Sequence, residues 1–204
     1  MLTRLVFLIV LLDCLVSPAL AAPIVYSVTV DTSSISGSTG SLDFNFNPGP
    51  LVTQLASAQI LSFSGDGTLV GSPSLVGNVI GTLPATVSFD NGTGFNDYFH
   101  AFSFGSNLSF SVSLFGPALS NPDGISSSGS TFAFSLFSDS AGTIPVLTTD
   151  PNGLGYVVDV NLDGTTTAKS FFSSTNAVPE PGTLSLIGIL IAVGASTRRN
   201  RVVR

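Results

Sequence analysis

The chain has 204 residues and a formal net charge of −6, from six Lys or Arg and twelve Asp or Glu. The cations gather at the two ends: residues 22–177 hold only Lys169 against ten Asp, with no Arg and no Glu, a net of −9. Such a surface repels phosphate backbones and argues against nucleic acid as a partner, while the single cysteine, Cys14, leaves residues 22–177 with neither a disulfide nor a thiolate metal site.

The first element is a secretory signal. Arg4 supplies a positive start, Leu5 to Leu12 form an apolar run that Leu15 and Val16 extend past Asp13, and Ala19-Leu20-Ala21 place small residues where a signal peptidase reads them. A signal peptide over 1–21, cut after Ala21, is expected; a cut after Ala22 would set Pro23 beside the scissile bond. Cys14 raises a lipoprotein alternative, but Asp13 stands where that site needs a small residue. An uncleaved anchor is a further alternative, and the run is short and broken by Asp13 for that role.

Residues 22–172 read as β-structure. Ile24 to Val30 is rich in β-branched residues; Leu42, Phe44 and Phe46 alternate with Asp43, Asn45 and Asn47, giving one apolar and one polar face. Ile60 to Phe63, the turn Gly65-Asp66-Gly67 and Thr68 to Val70 together predict a hairpin. Thr86 to Phe89 runs into Asp90-Asn91-Gly92. Phe99 to Phe104, Leu108 to Phe115, Thr131 to Phe137, Tyr156 to Val160 and Thr165 to Phe172 continue the series, the last two joined by Asp163-Gly164. Only Val52 to Gln59 admits a helical turn, and it reads equally as the lead-in to a strand. Nine or ten short strands separated by Gly, Pro, Asn and Asp turns predict an all-β, antiparallel two-sheet sandwich of jelly-roll or Greek-key kind, with strand order left open. The fifteen phenylalanines of this region are expected to fill the space between the sheets; an aromatic platform for sugars would favour Trp and Tyr, and Trp is absent. Ser173 to Ala177 reads as a polar spacer.

The C-terminus has three parts in fixed order: Pro179-Glu180-Pro181, which is extended and incompatible with a helix interior; an apolar helix candidate from Leu184 to Ala195; and a basic cluster of Arg198, Arg199, Arg201 and Arg204. A membrane segment over 183–197 covers only about 23 Å as a helix, short of the roughly 30 Å hydrocarbon core, a gap that snorkelling arginines and local thinning can close. The basic tail belongs in the cytoplasm, which places the domain outside. Val178-Pro179-Glu180-Pro181-Gly182-Thr183-Leu184, the membrane segment and Arg198-Arg199 together resemble the PEP-CTERM sorting domain over 178–204. Proteins of that family resemble substrates of exosortases in Gram-negative bacteria that make extracellular polysaccharide. The resemblance implies recognition and cleavage near Pro179-Glu180-Pro181, then release or transfer to the cell surface, with signal peptidase, an exosortase-type sorting protease and the membrane as partners. The middle of the chain also resembles an uncharacterised domain found in such sorted proteins, which implies no activity.

Catalytic chemistry has few candidates. The only histidine, His100, lies in a predicted strand, and no G-x-S-x-G elbow, phosphate loop or dinucleotide fingerprint is present. Ten Asp make a carboxylate pair for a hydrolase conceivable, though turns account for most of them. Asp159-Val160-Asn161-Leu162-Asp163-Gly164 matches the first half of a calcium loop, so Asp159, Asn161 and Asp163 are candidate calcium ligands. Its twelfth position is Ser170 rather than Glu, and the flanks read as strands, where the same three residues would be a solvated face. Asp90-Asn91-Gly92 with Asn96-Asp97 is a second oxygen-rich candidate, also explicable as a long turn. The expectation is a non-enzymatic, exosortase-sorted surface or extracellular-matrix protein that meets extracellular polysaccharide. A calcium-dependent carbohydrate-binding module and an Asp-pair hydrolase are the alternatives.

Overall fold

Alternating apolar and polar residues set which way each strand faces, and in the computed structural model, which describes residues 22–172 and the backbone of 178–179, those alternations build two sheets. The described residues form thirteen strands: β1 (Ile24–Asp31), β2 (Thr39–Pro48), β3 (Ser57–Gly65), β4 (Thr68–Leu69), β5 (Ser74–Val76), β6 (Val79–Gly81), β7 (Val87–Asp90), β8 (Asp97–Ser103), β9 (Asn107–Phe115), β10 (Ser130–Phe137), β11 (Tyr156–Val160), β12 (Thr166–Ser170) and β13 (Val178–Pro179). One sheet runs β1-β9-β3-β7-β6, with the two-residue β13 added on the outside of β1. The other runs β12-β11-β10-β2-β8-β4, and β5 also pairs with β8. All pairings are antiparallel. The expected all-β sandwich is the fold, and the chain passes repeatedly from one sheet to the other.

The core lies between the sheets. Leu42, Phe44 and Phe46 of β2 are fully buried, and Phe44 stacks on Phe134 of β10 at 4.5 Å between ring centroids and meets Phe110 of β9, on the opposite sheet, edge-on at 5.1 Å. Such offset and edge-on pairs stabilise beyond area burial. Nine of the fifteen phenylalanines are buried, which agrees with a core role rather than a sugar platform. Tyr26 of β1 closes one open side, its hydroxyl 2.7 Å from Thr166 Oγ1 on β12 of the other sheet.

One local reading changes and one open choice is decided. The turn at Gly65-Asp66-Gly67 does not fold β4 back on β3; β4 pairs with β8 in the other sheet. Asp66 Oδ1 accepts from the Asn107 backbone N–H at 2.9 Å, and the absence of a side chain at Gly67 lets its backbone lie against the Phe102 ring, so the turn directs the chain across the sandwich. Residues 52–56 form no helix and lead into β3, the other reading given for them; among the described residues the one α-helical turn, α1, is Pro117–Ser120. Strands β5 and β6 have no counterpart in the alternation pattern. The expected signal peptide (1–21), the spacer (173–177) and the sorting signal beyond Pro179 lie outside the described residues.

Candidate functional site

The candidate calcium residues sit on the β11–β12 hairpin. Asn161 N–H donates to the Thr165 carbonyl at 2.9 Å and Gly164 N–H to the Asn161 carbonyl at 3.1 Å, with Gly164 at φ +81°, a turn closed by a left-handed residue. Each candidate side chain already has a partner. Asp163 Oδ1 accepts from the Thr165 hydroxyl (2.6 Å) and N–H (3.0 Å), bonds that hold its carboxyl below the usual range. Asn161 Nδ2 donates to the Thr165 and Thr167 hydroxyls, and Asp159 Oδ1 accepts from Thr131 Oγ1 on β10 at 2.7 Å. Asn161 and Asp163 therefore meet at Thr165, whereas Asp159 bonds away from the turn. Among the described residues no group of three or more His, Cys, Asp or Glu is placed to hold a metal.

The second oxygen-rich stretch, between β7 and β8, is built around two buried amides. Asn91 Oδ1 accepts from the Ala56 N–H (3.0 Å), while its Nδ2 donates to the Gln54 carbonyl and to Ser130 Oγ, both at 2.8 Å. Asn96 Nδ2 donates to the Phe46 and Thr93 carbonyls, and its Oδ1 accepts from the Asn78 N–H at 2.8 Å. Both satisfy backbone groups that burial would otherwise leave without partners.

The geometry adds a pair that local sequence patterns do not mark. On β2 and β8, Asn45 faces Asp97 and Asp43 faces Phe99, so Asp43 and Asp97 are diagonal neighbours on the outer face of the larger sheet. Their carboxyl groups hydrogen-bond. Desolvation, then the Asp97 hydrogen bond and charge, push Asp43 up to about 8; Asp97 is also raised, by desolvation. Asn45 Nδ2 donates to Asp43 Oδ1 at 2.6 Å, and Asn45 Oδ1 is buried without a partner. At neutral pH the pair holds a proton, so one carboxyl can donate while the other accepts. Lys169, the one cation of the described region, lies on β12 with β10 and β11 intervening before β2.

His100 points inward from β8 and is buried. Leu83 N–H donates to the Tyr98 hydroxyl (3.0 Å), which leaves that hydroxyl's hydrogen for His100 Nδ1 (2.8 Å); Nε2–H then donates to the Gly71 carbonyl (3.2 Å). The ring ties the β4–β5 connection to the core. Pro179 pairs with Tyr26 across β13 and β1, and Val178 pairs with Ser27, so the start of the sorting signal forms a short strand on the sheet edge. Glu180, Pro181, Arg198 and Arg199 lie outside the described residues.

Residues 177–199 match the PEP-CTERM protein-sorting motif. No curated protein and no solved structure matches the chain. The motif together with the sandwich defines an exported β-domain protein carrying a C-terminal address. The motif implies processing by an exosortase and sorting to the cell surface. No helix among the described residues is long and apolar enough to cross a membrane.

Proposed function

We infer that the protein is a non-enzymatic surface or matrix domain, anchored for a time through 183–197, processed near Pro179–Pro181, and acting by contact with extracellular polysaccharide. The observation that carries this reading is the junction of a sorting motif with a domain whose acids cap turns. Asp31, Asp66, Asp123, Asp139, Asp150 and Asp163 each accept from backbone N–H groups. Carboxylates held in this way keep the surface negative and soluble while stabilising the loops. Alanine at Pro179, Glu180 and Pro181 should leave the full chain in the inner membrane with its arginine tail attached. Unchanged appearance at the cell surface would sink the processing step. Retention of the wild-type protein on the host's own polysaccharide tests the contact role, and passage without retention would remove it.

The Asp43–Asp97 pair favours a second reading, an Asp-pair hydrolase. Carboxyl groups that hydrogen-bond are closer than the spacing of glycosidase pairs and correspond to a proton-sharing dyad. Under this reading Asp43→Asn and Asp97→Asn would each abolish hydrolysis of host polysaccharide or peptide. Activity that survives both substitutions removes it. The calcium-dependent binding module rests on Asp159, Asn161 and Asp163, of which Asp159 bonds to Thr131 and so is turned away from the other two.

A further inference from the structure

One end of the sandwich carries four loops: 49–56 between β2 and β3, 91–96 between β7 and β8, 116–129 between β9 and β10, and the 161–165 turn between β11 and β12. The register places them together, since Ser57 pairs with both Phe115 and Asp90, and Ser130 pairs with both Pro48 and Val160. Each loop carries exposed apolar side chains. Leu51, Val52, Leu55, Phe95, Ile125 and Leu162 are between 50% and 82% exposed, and they are six of the eleven exposed large apolar residues in the described region. Single exposed apolar residues need no explanation, but a set gathered at one end of a domain marks a contact surface.

The direction of the chain indicates what covers that surface. β1 starts at this same end, where Ile24 pairs with Leu114, and β13 runs antiparallel to β1. The Val178–Pro179 strand therefore runs toward the exposed apolar loops. The apolar run that starts at Leu184 follows after five more steps, at most about 17 Å of extended chain.

We propose that this end of the sandwich docks on the bilayer surface, with the apolar loop tips of Leu51, Val52, Leu55, Phe95, Ile125 and Leu162 entering the headgroup region around the anchor. The proposal rests on the anchoring role given to 183–197. Asp123 and Asp163 are exposed in the same loops, so the fitting surface is a zwitterionic one and anionic headgroups oppose it. Docking holds the Val178–Pro179 strand close to the membrane, where a membrane-embedded sorting protease works.

The test uses chain 22–204 in phosphatidylcholine vesicles, which has no cysteine of its own because Cys14 is the only one in the sequence. Single cysteines replacing Ile125, Leu162, Ile144 or Leu190 carry a polarity-sensitive fluorophore, read against a lipid-borne nitroxide quencher. The Leu190 label reports the anchor, and the Ile144 label reports the opposite end of the sandwich. Blue shift and loss of most emission at 125 and 162, with neither change at 144, is the expected result. Adding Ile125→Asp to the chain labelled at 162 should restore emission there. Quenching at 190 without quenching at 125 and 162 overturns docking and leaves anchoring standing, whereas no quenching at 190 removes both. Labels at 125 and 162 shielded from lipid quencher and aqueous iodide alike mean that protein covers the loops, which also overturns the proposal. So does quenching that grows when phosphatidylglycerol replaces part of the lipid.

Discussion

Asp43 and Asp97 are diagonal neighbours on adjacent strands and hold a proton between them. The sign of the consequence follows from Asp43 alone: its carboxyl titrates at about 8 when folded, against 3.8 in its ordinary state. Between those values the folded chain binds more protons than the unfolded chain, so this group's stabilisation is full below 3.8 and is lost as pH rises through about 8. Asp97, also raised, acts in the same sense. The melting temperature should fall by several degrees between about pH 5 and about pH 9, and Asp43→Asn should remove most of that fall. An equal fall in the variant would assign the effect elsewhere.

Tyr98 donates to Nδ1 of His100 and the Gly71 carbonyl accepts from the other nitrogen, an arrangement that places the ring hydrogen on Nε2. Nitrogen-15 shifts of the ring check the tautomer directly. His100→Ala should cost about 2–4 kcal/mol, from the cavity and the buried Tyr98 hydroxyl that loses its acceptor, as measured by denaturant unfolding.

Asn91→Ala removes three hydrogen bonds and leaves the Ala56 N–H buried without an acceptor. A loss of about 2–3 kcal/mol is expected. Asn91→Asp keeps the acceptor but not the two donors, so it should recover only part of that loss; full recovery would mean the donors contribute nothing.

Asp163→Ala tests the hairpin. If Asp163 serves Thr165 alone, the variant should melt lower than the wild type by the same margin in chelator and in millimolar calcium. A wild-type melting temperature that rises with calcium, and a variant that does not respond, would restore the calcium-loop reading.

Much of the fold was legible because its main strands announce themselves. Leu42, Phe44 and Phe46 could face only one way once Asp43 and Asn45 faced the other. The two short strands β5 and β6 carry no such alternation, since their side chains are almost all exposed, and they pair only because β8 and β7 are already in place. The Gly65-Asp66-Gly67 turn was correctly located but assigned the wrong partner: turn chemistry specifies a bend, and tertiary contacts at Asn107 and Phe102 decide where it leads. The carboxyl pair was out of reach for a related reason. Asp43 and Asp97 are far apart in sequence and meet only through the β2–β8 register. Asn91 and Asn96 read as an oxygen-rich candidate or a long turn, because an Asn that organises buried backbone and one that faces water have the same letter.

Ile24 opens β1 at the end of the sandwich toward which β13 also points. The domain is in this respect a loop drawn together at its base. A domain whose two ends leave from one pole can complete its folding with both of them tethered at a single place.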